Sequence, residues 1–308
     1  MAFDLRTECS AWGMPSLNPG DTAALALLRF NGIPVNVISK AQLNPRVSPV
    51  DTCVILKEDM EEGLPSLSGF GDVYGALRLR SLGADFRLTR AQKAEARAFC
   101  SMIASKLGSG SLAEAWAIED NFFSGTAQAY AAELPLVLRP FIPRLRSSYV
   151  RRHMPSNRTD EDMITDAEEC IAALESRIGS RSSFFYGTEP TALDALSFAY
   201  TLFVMLAPCP RLRGALRKAP NLVSHTARVS ESYFSASAFS VPDMAELEGA
   251  RPRNASQTNS EAKTSSDTSL SRSEALRREW NRYFLGASAA SFVGYILLYA
   301  GEVADLWE

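Results

Sequence analysis

Histidine is nearly missing from this 308-residue chain: His153 and His225 are the only two. They stand far apart, and neither has a cysteine or second histidine at the spacing a zinc-type site needs. No metal site is expected. The five cysteines, Cys9, Cys53, Cys100, Cys170 and Cys209, are scattered and odd in number, with no C-x-x-C pair. That suits free thiols in a reducing compartment rather than a disulfide framework. Neither a G-x-x-x-x-G-K nor a G-x-G-x-x-G loop is present to cradle phosphates, and no G-x-S-x-G elbow presents a serine. No cofactor is expected. The carboxylate pairs Glu61-Glu62 and Glu168-Glu169 are adjacent, so their members point in different directions, and they read as solvated faces. Positive charge is not in surplus: the net charge is −3 and the pI near 5.7. This argues against a nucleic-acid partner held by a broad basic surface. The opening M-A-F-D-L-R-T-E has acidic Asp4 and Glu8 and no apolar run after it. It reads neither as a secretory signal nor as an acid-poor transit peptide.

Two further absences organise the C-terminal end. Residues 248–269 contain no apolar residue larger than alanine. Such a stretch cannot bury enough surface to offset chain entropy, so residues 236–281 are read as a disordered linker and flexible tether. Asn254-Ala255-Ser256 fits a glycosylation sequon, read here as chance in a cytosolic segment. From Tyr283 to Gly301 there is no charged residue. As a helix this run spans roughly 28 Å at about 1.5 Å per residue, close to a hydrocarbon core of about 30 Å. Arg272, Arg277, Arg278 and Arg282 precede the run, and Glu302, Asp305 and Glu308 follow it. By the positive-inside rule the large N-terminal part faces the cytosol. The expected membrane anchor is 282–301, with Tyr283, Phe284, Gly286, Ala290, Gly294, Tyr295, Leu298 and Ala300 in it and a short acidic tail at 302–308. Trp280, Tyr283, Tyr299 and Trp307 bracket it as interfacial aromatics. Gly286, Ala290 and Gly294 share one face, open to a second helix or simply keeping the anchor weakly hydrophobic.

The rest of the chain divides into two parts. In the first, 1–88, residues 3–8 can form a strand, followed by a loop with Trp12, Gly13 and Pro15. Asn18, Pro19 and Asp21 are helix-start signals, and Gly32 with Pro34 stops that helix. Val35 to Ile38 reads as a second strand, parallel to the first. Thr52–Leu56 and Leu64–Leu67 read as a hairpin, and a helix from Gly71 to Leu82 closes a β-α-β-β-β-α order. The second part, 89–235, reads as helices only. Thr89 with Gln92, and Ser111 with Glu114, have capping-box spacing. Met163, Ile164, Ala167, Ile171, Leu174 and Ile178 form one stripe of an amphipathic helix ended by Gly179. Thr191 and Asp194 are read as a structural capping box that opens a helix running to Leu206. That helix is apolar nearly all round and so is expected at the centre. Arg139, Arg144, Arg146, Arg151 and Arg152 form a basic run. It is either a solvated helix face or a contact for anionic lipid heads or an acidic partner.

The fold class expected is α/β plus all-α: a thioredoxin-like N-domain, a helical C-domain and one C-terminal transmembrane helix. This resembles the glutathione transferase fold. More closely, the chain resembles the metaxin family nearly end to end. The resemblance is carried by W-G-M-P-S-L at 12–17, L-R-F-N-G-I-P-V at 28–35, N-P-R-V-S-P at 44–49, F-F-Y-G-T-E-P-T-A-L-D-A at 184–195 and P-N-L-V at 220–223. It ends with a basic segment before F-V-G-Y-I-L-L at 292–298. The resemblance implies a non-enzymatic subunit on the cytosolic face of the mitochondrial outer membrane, in protein import and insertion of β-barrel precursors. Its implied partners are a second metaxin-like subunit, the barrel-shaped channel of the sorting and assembly machinery, and precursor proteins. Some family members attach mitochondria to motors. The competing expectation is a tail-anchored glutathione-dependent enzyme using Cys9 or Ser16, since transferase-like proteins activate a residue after the first strand. Against it, the position of the transferases' cis-proline falls at Val54, with Leu64-Pro65 as another candidate. Ser68-Gly69-Phe70-Gly71 stands where their acidic-serine pair would be.

Overall fold

The computed structural model describes residues 3–39, 55–57, 69–79, 83–136, 138–155, 157–179, 183–234, 277–278 and 281–282. Within Phe3–Thr7 (β1), Leu5 and Thr7 are buried and Arg6 between them is exposed, the period of two that a pleated strand imposes. Asn18 then starts a helix, its Oδ1 accepting from Gly20 N–H at 2.9 Å, with Pro19 in the first turn. This helix, Pro19–Phe30 (α1), ends where Gly32 takes a φ of 65°. It is the crossover that a parallel pair requires: Val35–Ser39 (β2) lies parallel to β1 in the register Phe3↔Val35 to Thr7↔Ser39. Ile55–Lys57 (β3) pairs antiparallel with the other edge of β1, Leu5 opposite Leu56, giving the sheet order β2-β1-β3. The expected partner strand at Leu64–Leu67 lies outside the described residues, as do Val54, Pro65 and Ser68. Gly69–Leu79 (α2) begins two residues earlier than expected and packs on α1.

The helical part opens with Arg90–Met102 (α3), where Thr89 and Gln92 cap each other's backbone reciprocally. The chain continues through wide helical turns at Ile103–Leu107 and Ala113–Ala117 on either side of Gly108–Leu112 (α4). The expected capping box at Ser111 and Glu114 is not formed. Ser111 sits inside this continuous helical run, and its Oγ donates to the Gly108 carbonyl at 3.0 Å. Then come Glu119–Asn121 (α5), Ala127–Ala132 (α6), Ile142–His153 (α7) and Asp160–Ile178 (α8). The apolar stripe of α8 is buried from Met163 to Ile178, and Gly179 ends it at positive φ. Ala192–Leu206 (α9) is buried from Ala192 to Met205 and packs against α1, α3 and α11. Pro210–Leu216 (α10) and Pro220–Phe234 (α11) follow. Among the described residues no helix is long and apolar enough to cross a membrane. The anchor residues Tyr283, Phe284, Gly286, Ala290, Gly294, Tyr295, Leu298 and Ala300 lie outside the described residues.

Gly110 marks the closest approach of two helices. A Cβ there would stand 2.4 Å from Ala167 Cβ and 2.5 Å from the Met163 carbonyl oxygen of α8. Backbone cannot yield as a flexible side chain does, so Gly110→Ala is expected to destabilise the chain by about 1–3 kcal/mol. At Gly214, in α10, a Cβ would meet nothing within 4 Å, and Gly214→Ala is expected to be neutral or stabilising by up to about 1 kcal/mol. Urea denaturation of the detergent-solubilised full chain, followed by tryptophan fluorescence, measures both.

Candidate functional site

The loop between β1 and α1 carries the residues expected to do any thiol or hydroxyl chemistry, and backbone contacts close it on itself. Met14 N–H donates to the Ala11 carbonyl at 2.8 Å, and Leu17 N–H donates to the Cys9 carbonyl at 2.9 Å. Between them Trp12 takes a φ of 52°, a strained conformation for a bulky side chain. Its ring is held edge-on against Phe203 of α9, with centroids 6.2 Å apart. The central helix thereby fixes the loop that holds Cys9 and Ser16.

Neither residue is presented to solvent. Cys9 is fully buried, and burial, with Glu8 and Glu133 nearby, pushes its thiol up to about 12. A thiol so placed stays protonated at neutral pH. Ser16 is also buried; its Oγ donates to Asp21 Oδ2 at 2.8 Å and accepts from Asn18 N–H at 3.1 Å. Ser10 is exposed, and its N–H donates to Ser39 Oγ at 3.1 Å.

Arg146 supplies the cover. Its place in the basic run suggested a solvated or lipid-facing side chain, yet it is 1% exposed. Spacing on α7 turns it inward beside Ser147 and Val150, away from exposed Leu145. Its Nη2 lies 2.5 Å from Glu8 Oε1, and its Nη1 donates to the Tyr130 hydroxyl at 2.9 Å. The guanidinium also stands 5.0 Å from the Tyr130 ring centre and 5.8 Å from that of Trp116. Tyr130 in turn hydrogen-bonds Glu8. On the other side, Asp21 Oδ2 accepts from Glu8 N–H at 2.9 Å. Two buried acids therefore share one buried cation. Burial raises the carboxyl of Glu8, with Arg146 opposing. Burial, with neighbouring Glu8, raises Asp21 to about 7.

The other arginines of the run divide among separate tasks. Arg139 donates to the Leu134 and Ala132 carbonyls, Arg151 to the Ala117 carbonyl, and Arg144 to Asn281 Oδ1. Arg152 is exposed. The adjacent acids on α8 do point apart, but each is ion-paired rather than merely solvated. Glu168 takes Arg211 at 2.8 Å, and Glu169 takes Lys106 at 3.4 Å.

Thr191 and Asp194 stand at the start of α9. Asp194 is fully buried, and its oxygens accept from Thr191 N–H at 2.8 Å, Thr191 Oγ1 at 2.7 Å and Phe185 N–H at 3.1 Å. His225 Nε2 lies 2.9 Å from Asp194 Oδ1. Buried Asp194 thus gathers acceptor contacts at the start of α9. The His225 contact was not legible in the sequence, because the two residues are 31 apart. Asp85 adds a further acceptor from outside the helix, taking Ala192 N–H at 3.3 Å.

A pocket of about 500 Å³ opens beside this helix start. Leu27, Phe30, Tyr74, Leu77, Phe86 and Tyr233 supply its apolar walls. At its rim Arg87 pairs with Glu189. The volume is that of a small-ligand site, but its half-buried carboxylate, Asp85, is committed to Ala192 and Tyr74. Among the described residues no cluster of three or more histidine, cysteine or acidic side chains could hold a metal ion.

Residues 22–147 match the family described as outer mitochondrial membrane transport complex protein, and residues 167–229 match the glutathione S-transferase C-terminal domain. Metaxin-1 of Macaca fascicularis is 30% identical over 248 residues, covering 76% of this chain and 76% of that one. Metaxin-1 of Sus scrofa is 28% identical over 312 residues, covering 97% and 91%. Metaxin-2 of Mus musculus is 24% identical over 223 residues, covering 70% and 82%. A solved glutathione S-transferase of Methylobacterium radiotolerans, in complex with glutathione sulfonate, aligns with a TM-score of 0.47 at 14% identity over 79% of this chain and 99% of its own. One of Ceriporiopsis subvermispora, in complex with glutathione, gives 0.48 at 12% identity over 78% and 99%.

Removing Arg146 strands Glu8 as an unpaired buried acid. Arg146→Met is expected to destabilise the chain by about 3–5 kcal/mol, and adding Glu8→Leu to recover most of that loss. The midpoints of urea denaturation test both. A second outcome concerns pH. Asp21 holds its proton to about 7 when folded, against an ordinary 3.8. Between those values the folded state binds more protons than the unfolded one, so this group's contribution falls as pH rises from about 4 to about 7 and levels off above. Comparing urea midpoints at pH 5 and pH 8, Asp21→Asn is expected to lose part of the decline that the parent chain shows.

Proposed function

Because the chain belongs to the metaxin family, we propose that it is a non-enzymatic adaptor and scaffold subunit of the mitochondrial outer membrane. In this reading it serves protein import and the insertion of β-barrel precursors. A thioredoxin-like domain at 1–88 and a helical domain at 89–235 face the cytosol. The run at 283–301 anchors them, and confinement to a surface raises their effective concentration near partners. Its partners are a second metaxin-like subunit, the β-barrel assembly channel and precursor proteins.

The observation that carries the non-enzymatic part is the sealed loop after β1. Cys9 and Ser16 are buried beneath the Arg146–Glu8 pair, with the thiol raised to about 12. A glutathione-dependent enzyme needs the opposite: an exposed nucleophile with a lowered pKa. The family match of residues 22–147 supports the outer-membrane and transport part. The charge-free run with arginines before it and acids after it supports the anchor and its orientation.

Mitochondria carrying the tagged full chain, gently solubilised and purified under native conditions, are expected to yield a β-barrel assembly channel and a second metaxin-like subunit. Recovery of the protein alone, together with retention on immobilised glutathione that Cys9→Ala abolishes, would sink the adaptor reading.

A further inference from the structure

Four residues just before the apolar run are helical, 277, 278, 281 and 282, and two of them touch the helical part of the chain. Arg277 Nη1 lies 3.1 Å from Glu119 Oε2 of α5. Arg144 Nη2 of α7 donates to Asn281 Oδ1 at 2.6 Å. Arg144 is itself held over the ring of Phe123, 5.7 Å from its centre. The chain therefore does not reach the expected anchor as a free leash. Tyr283, the first residue of the charge-free run, follows Asn281 by two positions in the sequence, so the contact with α7 falls two residues before that run.

The surface brought there has the composition of a membrane-facing one. Among the described residues the exposed large hydrophobics are Leu79, Phe86, Leu136 and Leu145. Leu145, next to Arg144 on α7, is 54% exposed, and Leu136, in the turn before α7, is 76% exposed. Arg152 lies seven residues from Leu145 and so shares its helix face; it is exposed, as is Arg139 beside Leu136. Arg277, Arg278 and Arg282 add exposed positive charge from the other side of the contact. Among the described residues the acids on these elements are Glu119, Asp120 and Glu133, and Glu119 is already paired; Glu279, between Arg278 and Arg282, lies outside the described residues. Arginine with leucine at one level suits the headgroup region, where cations meet lipid phosphates and short apolar side chains enter the boundary.

We propose that the helical residues before the charge-free run clamp the helical part through Arg277–Glu119 and Arg144–Asn281, holding Leu145 and Arg152 of α7, with Leu136 and Arg139 of the turn before it, against the anionic headgroup layer of the bilayer. The clamp fixes which side of the folded part faces the membrane. This rests on the anchor assigned above. It replaces a roaming tether with a defined orientation.

The test uses the full chain reconstituted into phosphatidylcholine vesicles with and without phosphatidylglycerol. A photoreactive p-benzoylphenylalanine replaces Leu136 or Leu145, and in a control chain Leu79, which is 90% exposed on α2. Lipid adducts are expected at 136 and 145, increased by phosphatidylglycerol, and not at 79. In the 145 background Arg277→Glu is expected to reduce the adduct roughly two- to five-fold, the range of one exposed ion pair. Combining it with Glu119→Arg is expected to restore the yield. Equal lipid labelling at 145 and 79, or adducts to protein alone at 145, in a chain that resists carbonate extraction overturns the proposed face while the anchor stands. An adduct yield unmoved by Arg277→Glu overturns the clamp. A chain that carbonate extracts fails the anchor reading, and this proposal with it.

Discussion

Arg146 carries a guanidinium from the helical part of the chain into the end of β1, where water does not reach it. An unpaired charge in such a place is costly, so Glu8, Tyr130 and the aromatic walls around it are a condition of the fold. The pair adds little net stability over apolar residues of the same shape. A shift of α7 against β1 would separate the two charges and leave each where water does not reach. The loop after β1 inherits its position from that arrangement. Cys9 and Ser16 lie beneath the cation, Asp21 joins Glu8 to the start of α1, and Trp12 is pressed on Phe203.

A similar economy recurs at the helix starts. The free N–H groups of a buried helix start need acceptors, and here several come from acids distant in sequence. Glu114 accepts from Arg211 and Leu212 N–H at 2.6 and 3.0 Å, opening α10. Glu175 accepts from Asn221 and Leu222 N–H at 3.1 and 2.8 Å, opening α11. Asp85 and Asp194 together serve α9. Each carboxylate satisfies backbone groups and ties two helices at once. The helical part is thus held by apolar packing around α9 and by charge-assisted contacts between helix bodies and helix ends.

Signals that act within a few residues were legible. Asn18, Pro19 and Gly32 set the limits of α1, Thr89 and Gln92 opened α3, and the stripe from Met163 to Ile178 gave the buried face of α8. Local signals also misled. Ser111 and Glu114 have the spacing of a capping box, but Gly108 to Leu112 was already helical, so Glu114 was free to cap a helix almost a hundred residues away. Arg146 belongs to a run of five arginines that composition treats alike, and it differs from Arg152 only in the side of α7 on which it falls.

What the sequence determined by itself is therefore the first two strands, the helices opened by Asn18, Thr89 and Thr191, the buried stripe of α8 and the uncharged run near the C-terminus. Those depend on propensity, periodicity and neighbouring side chains, all of which act over one or two turns. The tertiary structure decided which charges are buried, which acid caps which helix and whether Cys9 meets solvent. Pairing and desolvation depend on residues that only the fold brings together. Glu8 and Arg146, or Asp194 and His225, carry no mark of each other in the chain until burial makes each the other's partner.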